Sequence, residues 1–499
     1  MKLFTIGDSI SQGYMSLSAA RTDLSFSNLI ARKLGLNIGY CQSPINNLDY
    51  TYPFWPENGI GINIEAILRR LNQRYGSNIK GLEWLTVLQE INSVLDASED
   101  YYERGGGAHY QQYENGNVEY FNNISIFGMR ISDAWLLTPK ICQSEIKTGS
   151  RDGFLSGSDY FWYRTALKVL NPSLSLVHYQ KTPLDWLEYH SKREGVENLV
   201  LWLGANHALG TVISLSVNQT PDLPNIEGMP YYERRNKKWN LWHPNDFKRE
   251  YEELINRTVE AIGNNNGQHC RIFLATIPIV TIAPLIRGVG EKYNIEVTDH
   301  MDQKIEYTYY KYYTYFPFDE QTAIDTGKYL TVSDAIHIDR CIRQFNRIIV
   351  EIVKNFQHTN ITLHLVDIAD YLEKLAWKRN NANPRSNLPD ALEFIYPPIN
   401  TKYYDVNPDG RMIQGGIFSL DGVHPTAIGQ GLLAWKFLEA MRVAGVADIN
   451  NNLVDEELNW PEIISNDTLY SSPLSSMQDM LRKAELAGHI LGAIERLRR

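Results

Sequence analysis

The chain predicts an α/β fold, an open, doubly wound parallel sheet enlarged by large insertions. Two observations carry this expectation. Five short apolar runs, at 3–6, 124–127, 199–203, 272–277 and 363–366, each lead into Gly, Asp or Pro. They are too short for typical helices and read as buried strands. Segments of helical spacing alternate with them, which is the signature of βαβ units.

The helical segments follow in order. Residues 27–34 (SNLIARKL) come after the first run and 131–137 after the second. Residues 246–262 precede the fourth run and open on Asp246, an expected N-cap. Residues 338–355 precede the fifth, with Ile342, Phe345, Ile349 and Ile352 forming one apolar stripe. Residues 426–444 read as a closing helix. The core is therefore discontinuous, at about 1–40, 121–140, 196–210, 246–280, 336–369 and 416–445. The stretches 41–120, 141–195, 211–245, 281–335 and 370–415 read as insertions, and 446–499 as a C-terminal helical extension.

Two insertions carry unusual numbers of tyrosines, YYERGGGAHYQQYENGNVEYF at 101–121 and YTYYKYYTYF at 307–316. Such runs form either an insertion's own small core or hairpin, or a rim over a pocket where Tyr supplies rigid amphipathic contact area. The end of the chain, 473–499, has the pattern of an amphipathic helix with a basic last turn. Packing on the body or on a second subunit is its expected use, with membrane-surface binding the lesser alternative.

The 499 residues are 43% hydrophobic and 21% charged, enough apolar material for a large core and too much for a disordered chain. Lys and Arg total 48 against 58 Asp and Glu, a net charge of −10. That balance argues against nucleic acid as the main partner. No apolar run reaches the ~18 residues of a membrane-spanning helix. The start, MKLFTIGDSI, is too short in apolar residues for a secretory leader. Cys41, Cys142, Cys270 and Cys341 are widely spaced and read as reduced core residues. A cytoplasmic location is expected. Oligomeric state is not legible.

Four fragments carry chemistry. Gly7-Asp8-Ser9-Ile10-Ser11-Gln12-Gly13 ends the first strand, so Ser9 falls on the edge where such sheets bind ligands. Asp421-Gly422-Val423-His424-Pro425 lies before the closing helix. A serine hydroxyl needs a base to take its proton, and that base needs an acceptor on its other nitrogen. His424 and Asp421 supply both from one loop, although an Asp cap beside a surface His explains the fragment alone equally well. Asn206, in Leu203-Gly204-Ala205-Asn206-His207, is a suitable amide donor to a developing oxyanion. The backbone N–H groups of Gly128, after the second strand, and of Ser9 itself are further donors.

Together these fragments resemble the GDSL family of the SGNH hydrolase superfamily. Residues 7–13 are similar to its nucleophile block, with Ile10 where Leu is usual. The stretch 123–135 (NISIFGMRISDAW) resembles the block of the oxyanion glycine, Gly128, and Gly204-Ala205-Asn206 that of the oxyanion asparagine, Asn206. Asp421 to Pro425 matches the D-x-x-H-P block. Lesser likenesses run through 275–278 (ATIP), Phe345-Asn346 and Val366-Asp367. The resemblance covers the core and none of the insertions. It implies a flavodoxin-like three-layer doubly wound parallel sheet. It also implies a serine esterase with Ser9, Asp421 and His424 catalytic, and with Ser9, Gly128 and Asn206 as the oxyanion hole. Two departures stand out: His207 replaces the family's usual Asp after the oxyanion Asn, and the gap from Ser9 to Gly128 is longer than usual. His207 is either a structural replacement or a second titrating group near the pocket.

The expected activity is hydrolysis of carboxylic esters through an acyl-enzyme, with no metal and no cofactor. The substrate is expected to be a short acyl ester of a carbohydrate or small metabolite. A lipid acyl hydrolase, acyl transfer to an alcohol, and a catalytically silent binding protein on the same fold are the alternatives.

Overall fold

The computed structural model describes residues 1–17, 21–40, 47–55, 63–75, 118–146, 158–222, 229–407 and 412–474. Cys41, most of the tyrosine-rich run at 101–121 and nearly all of the basic C-terminal stretch lie outside the described residues.

The five apolar runs form one parallel sheet. Its strands are β1 (Phe4–Gly7), β2 (Asn123–Ser125), β3 (Asn198–Trp202), β4 (Cys270–Ala275) and β5 (Ile361–Val366). Their order is 2-1-3-4-5, one of the two common doubly wound orders, with the reversal of direction at β1 and β3. Ile6 lies between Ile124 and Leu201 in register, and Val200 opposes Phe273. Side chains alternate across the sheet, so Leu199 and Leu201 enter the apolar core on one face while Val200 and Trp202 enter the core on the other. Both faces are covered, which is why these strands read as continuous apolar runs.

The helices that matter below are α1 (Ser9–Gln12), α2 (Phe26–Lys33), α3 (Ser158–Leu170), α4 (Pro183–Arg193), α5 (Pro244–Ile262), α6 (Val332–Asn355), α7 (Ile368–Leu375) and α8 (Ala427–Val443). Helices α3 to α6 share the core with Leu199 and Leu201, and α2, α7 and α8 share the core with Val200 and Trp202. The stretch 141–195, read from sequence as an insertion, thus supplies two helices of a covering layer. Helix α4 begins at Pro183 under a Thr182–Asp185 capping box.

Local chemistry moves several boundaries. Helix α5 is capped by His243, whose ring nitrogen accepts the Asn245 N–H, and not by Asp246, which instead accepts the Thr220 hydroxyl. Helix α6 starts at Val332, six residues before the apolar stripe suggests, because Thr331 and Asp334 form a capping box. The segment 131–137 is helical only over Asp133–Leu136. Pro139 forces Thr138 into an extended conformation, φ −125° and ψ 156°, and a new helix starts there.

The run YTYYKYYTYF lies in a long antiparallel hairpin of Ile286–Thr298 with Lys304–Tyr315. Tyr307, Tyr309, Tyr313 and Tyr315 are buried in it. They do not form a separate small core but pack into the same apolar core as Leu199 and Leu201, and Tyr309 donates to Asp339 of α6 at 2.8 Å. Past α8, a short helix at Trp460–Asn466 covers its outer side, with Trp460 lying over Gly431. Among the described residues no helix is long and apolar enough to cross a membrane.

Candidate active site

The chain leaves β1 at Gly7 and turns at once into α1. A Cβ on Gly7 would lie 2.2 Å from the Ser11 hydroxyl, so no larger residue fits the turn. Asp8 caps α1 by accepting the Ile10 N–H at 3.2 Å, and Gly13 ends it after one turn at φ +78°. Ser9 is held at the carboxyl end of the sheet, at the first helical position, where its N–H has no intrahelical acceptor.

The Ser9 hydroxyl meets His424 Nε2 at 2.9 Å, and His424 Nδ1 meets Asp421 Oδ2 at 2.8 Å. All three residues are buried. Asp421 also accepts the Val423 and His424 N–H groups on Oδ1, each at 2.9 Å, and the Leu17 N–H on Oδ2 at 3.0 Å. Burial works to raise its carboxyl, but the His424 ring and these N–H donors hold it below the usual range. An ionised carboxylate only accepts, so Nδ1 carries the imidazole proton and Nε2 presents its lone pair to the Ser9 O–H. The Tyr14 ring packs edge-on against the imidazole at 4.9 Å and stacks on Phe127, bounding the His424 position.

A small latch ties the segment after α1 to the segment just before Asp421. The Ser16 N–H donates to the Ser419 hydroxyl at 2.9 Å, and the Leu420 N–H donates to the Ser16 hydroxyl at 3.3 Å. Ser16 and Leu17 adopt φ of +50° and +60°, a left-handed conformation that costs a non-glycine residue about 1–2 kcal/mol. The strain turns the Leu17 N–H onto Asp421. Sequence inspection missed this latch, because neither residue type announces a left-handed backbone.

The other sequence candidates gather on the same edge. Gly128 follows β2 at φ +69°, and Trp162 closes over it, donating its indole N–H to the Phe127 carbonyl at 2.6 Å. Among the described residues the Gly128 N–H has no protein acceptor. Gln12 of α1 accepts the Phe127 N–H at 3.0 Å, joining this loop to the nucleophile turn. Asn206 sits after β3 on a short turn that begins at Gly204, φ +133°. Its amide donates to the Met129 carbonyl at 2.9 Å and to Asp8 Oδ2 at 3.3 Å. Both amide hydrogens are thus engaged, and donation to an oxyanion requires giving up one of these bonds, the longer contact to Asp8 being the weaker. Asp8, quoted from sequence only as a motif letter, is the acceptor that orients this amide.

His207 points away from this edge, into the core. It is fully buried, with Nε2 3.1 Å from Glu250 Oε2, which also accepts the Trp242 indole N–H at 2.9 Å. Arg234 pairs with the other Glu250 oxygen at 3.0 Å. Burial works to raise the Glu250 carboxyl, yet His207 and Arg234 hold it down at about 2. His207 is therefore a structural group that anchors the Asn206 turn to α5.

The arrangement can move one proton from a serine hydroxyl to an imidazole whose other nitrogen is pinned to a carboxylate. It can also offer N–H donors to charge that develops next to that serine. Compared with known proteins, the chain matches no family model, no curated protein and no solved structure.

Proposed function

We propose that the protein is a serine ester hydrolase of the GDSL type, on the flavodoxin-like three-layer sheet of the SGNH hydrolases. The observation that carries this reading is the hydrogen-bonded chain from Ser9 through His424 to Asp421, assembled from residues more than 400 positions apart. In the proposed reaction Ser9 Oγ bonds to the ester carbonyl carbon while its proton passes to His424 Nε2. The carbonyl electron pair moves onto oxygen, where the Ser9 and Gly128 N–H groups and the Asn206 amide stabilise it. Collapse of the adduct expels the alcohol oxygen, which takes the proton from His424. Water then repeats the sequence on the acyl-enzyme and releases the acid.

The polar alcohol moiety of this reading, a carbohydrate or small metabolite, has its support in the character of a cavity of about 890 Å³ that adjoins Ser16 and Ser419, although neither Ser9 nor His424 lines it. It is lined by Tyr40, Tyr52 and Trp55 together with Arg21, Asp23 and Arg32, a mixture suited to stacking on and hydrogen-bonding a hydroxylated ring. Cys142, Cys270 and Cys341 are buried free thiols, which supports a reducing compartment such as the cytoplasm.

Labelling with a fluorophosphonate probe tests the reading, since such a probe traps an activated serine without knowledge of the natural ester. The wild type is expected to label on Ser9, and Ser9→Ala and His424→Ala to remain unlabelled while folded. An unlabelled, folded wild type would overturn the hydrolase reading in favour of a binding protein.

A further inference from the structure

Beside Ser9 and His424 lies a second cavity, of about 70 Å³, on the side of the sheet edge facing β4, α7 and α8. Ser9 and His424 supply the only polar side chains in its lining among the described residues. The remaining wall is aliphatic or aromatic. Ile279, Val280 and Ala283 come from the loop after β4, Leu372 from α7, and Leu432 and Leu433 from α8. The loop is braced from behind. Lys378 Nζ donates to the carbonyls of Thr281, Ala283 and Ile286 at 3.1, 2.7 and 2.5 Å, which satisfies polar groups that would otherwise face the core. The wall is therefore held in place rather than free to expand around an arbitrary occupant.

We propose that this cavity receives the acyl chain of the ester and selects an aliphatic acyl group of roughly four to six carbons. The inference rests on the serine hydrolase reading and adds the acyl class to it. Three observations carry the assignment. A cavity with no hydrogen-bond partner beyond the nucleophile and the base gives nothing to a hydroxylated or charged group, and burying such a group there unpaired is unfavourable. It gains from apolar surface removed from water. Its volume of about 70 Å³ is space for roughly five water-sized groups, each about the size of a methylene. The larger polar cavity next to Ser16 is lined by neither Ser9 nor His424, whereas both of them line this one.

The test is a series of p-nitrophenyl esters from acetate to decanoate, run beside fluorophosphonate labelling of the same preparation. Each methylene up to about pentanoate is expected to raise kcat/KM about fourfold, the transfer free energy of one buried CH₂, with a decline by octanoate. Leu372→Phe shortens the cavity and shifts the optimum to shorter chains, whereas Leu372→Ala shifts it to longer ones. Opposite shifts from two variants of one residue cannot come from loss of folding. A second arm holds the acyl group at butanoyl and lengthens the alcohol from methyl to hexyl, and a nearly flat response is expected. A flat acyl series on a protein whose Ser9 still labels would overturn the acyl pocket and leave the hydrolase reading intact. A steep alcohol series would overturn the assignment of the cavity to the acyl side. A folded protein that neither labels nor turns over any ester would overturn the hydrolase reading itself.

Discussion

Asp8 lies between the proposed nucleophile and the Asn206 amide, buried, with one oxygen on the Ile10 N–H and the other on Asn206. Burial raises its carboxyl to about 6, although the Ile10 N–H and the His424 ring work to lower it. The folded protein thus takes up this proton at a higher pH than the unfolded chain. The stability that results is fully present below about pH 4, the ordinary carboxylate range, and is lost as pH rises through about 6. Asp8→Asn keeps a side-chain acceptor for the cap and removes the charge. Its thermal midpoint is expected to gain on the wild type between pH 4.5 and pH 7.5, while Ser9 labelling slows about tenfold at pH 7.5, where Asn206 loses the charged acceptor that orients it, and changes little at pH 4.5. Melting curves and labelling rates of both proteins at the two pH values check this. A midpoint difference independent of pH would show that Asp8 is not held protonated by its burial. His207 teaches the complementary lesson. Its place in the sequence suggests a neighbour of the pocket, but Asn206 bonds to Met129 and Asp8 while the next side chain bonds to Glu250 in the core.

At the scale of elements, the loop from Asp421 to His424 is held in place by its neighbours. Gly422 adopts φ +68°, and a Cβ there would lie 2.5 Å from the Leu285 nitrogen and 2.8 Å from its Cα. The contact is with backbone, which cannot swing aside. The Leu285 N–H also donates to the Gly422 carbonyl at 2.8 Å, so the loop after β4 and the Asp–His loop are stitched together. Behind the loop, Thr426 caps α8, and Asp467 accepts the Ile428 N–H at 2.9 Å from the following segment. Gly422→Ala is expected to destabilise the protein by about 2 kcal/mol or more, through its left-handed backbone and the backbone contact. Ser9 labelling is expected to fall much further than that loss of stability explains, because the displaced loop carries both Asp421 and His424. Labelling at a temperature well below the variant's melting point separates the two effects. Wild-type labelling in a folded variant would show that the loop tolerates the displacement.

Over the whole molecule, the parallel sheet brings β-strand ends from across the chain to one edge, and the tyrosine hairpin is fastened to the core beside it. Asp339 of α6 and Arg379, past α7, form a fully buried ion pair at 2.8 Å. Arg379 also donates to the Tyr313 hydroxyl at 2.6 Å and to Thr281, while Asp339 accepts from Tyr309 and Thr281. One polar knot thus joins a core helix, the tyrosine hairpin and the loop that walls the apolar cavity. Such a pair contributes little compared with a well-packed apolar replacement, but removing one partner leaves a buried charge uncompensated. Asp339→Ala is expected to cost about 3–5 kcal/mol, read as a fall in the urea midpoint without a change in slope. An unchanged midpoint would show that water reaches Arg379 once its partner is gone.

The five strands and most of the helices were legible in the linear pattern because burial on both faces of a parallel sheet demands unbroken apolar runs, and covering helices demand one apolar stripe. That Ser9, Gly128, Asn206, Asp421 and His424 gather on one edge was legible because each follows or precedes such an element, and because the four motif blocks that carry them resemble one family in combination. The boundaries of α5 and α6 were not, since capping is a competition among neighbouring side chains that spacing does not resolve. Nor were the Ser16–Leu17 latch, the Asp8–Asn206 contact, the burial of His207 or the Asp339–Arg379 knot. Each depends on which side chains face one another across tens to hundreds of residues, and on strain that one contact imposes on another. Local periodicity records how much of a segment must be buried. The partner it is buried against is settled by packing in three dimensions, and that packing is what sets Asp421, His424 and Ser9 in line.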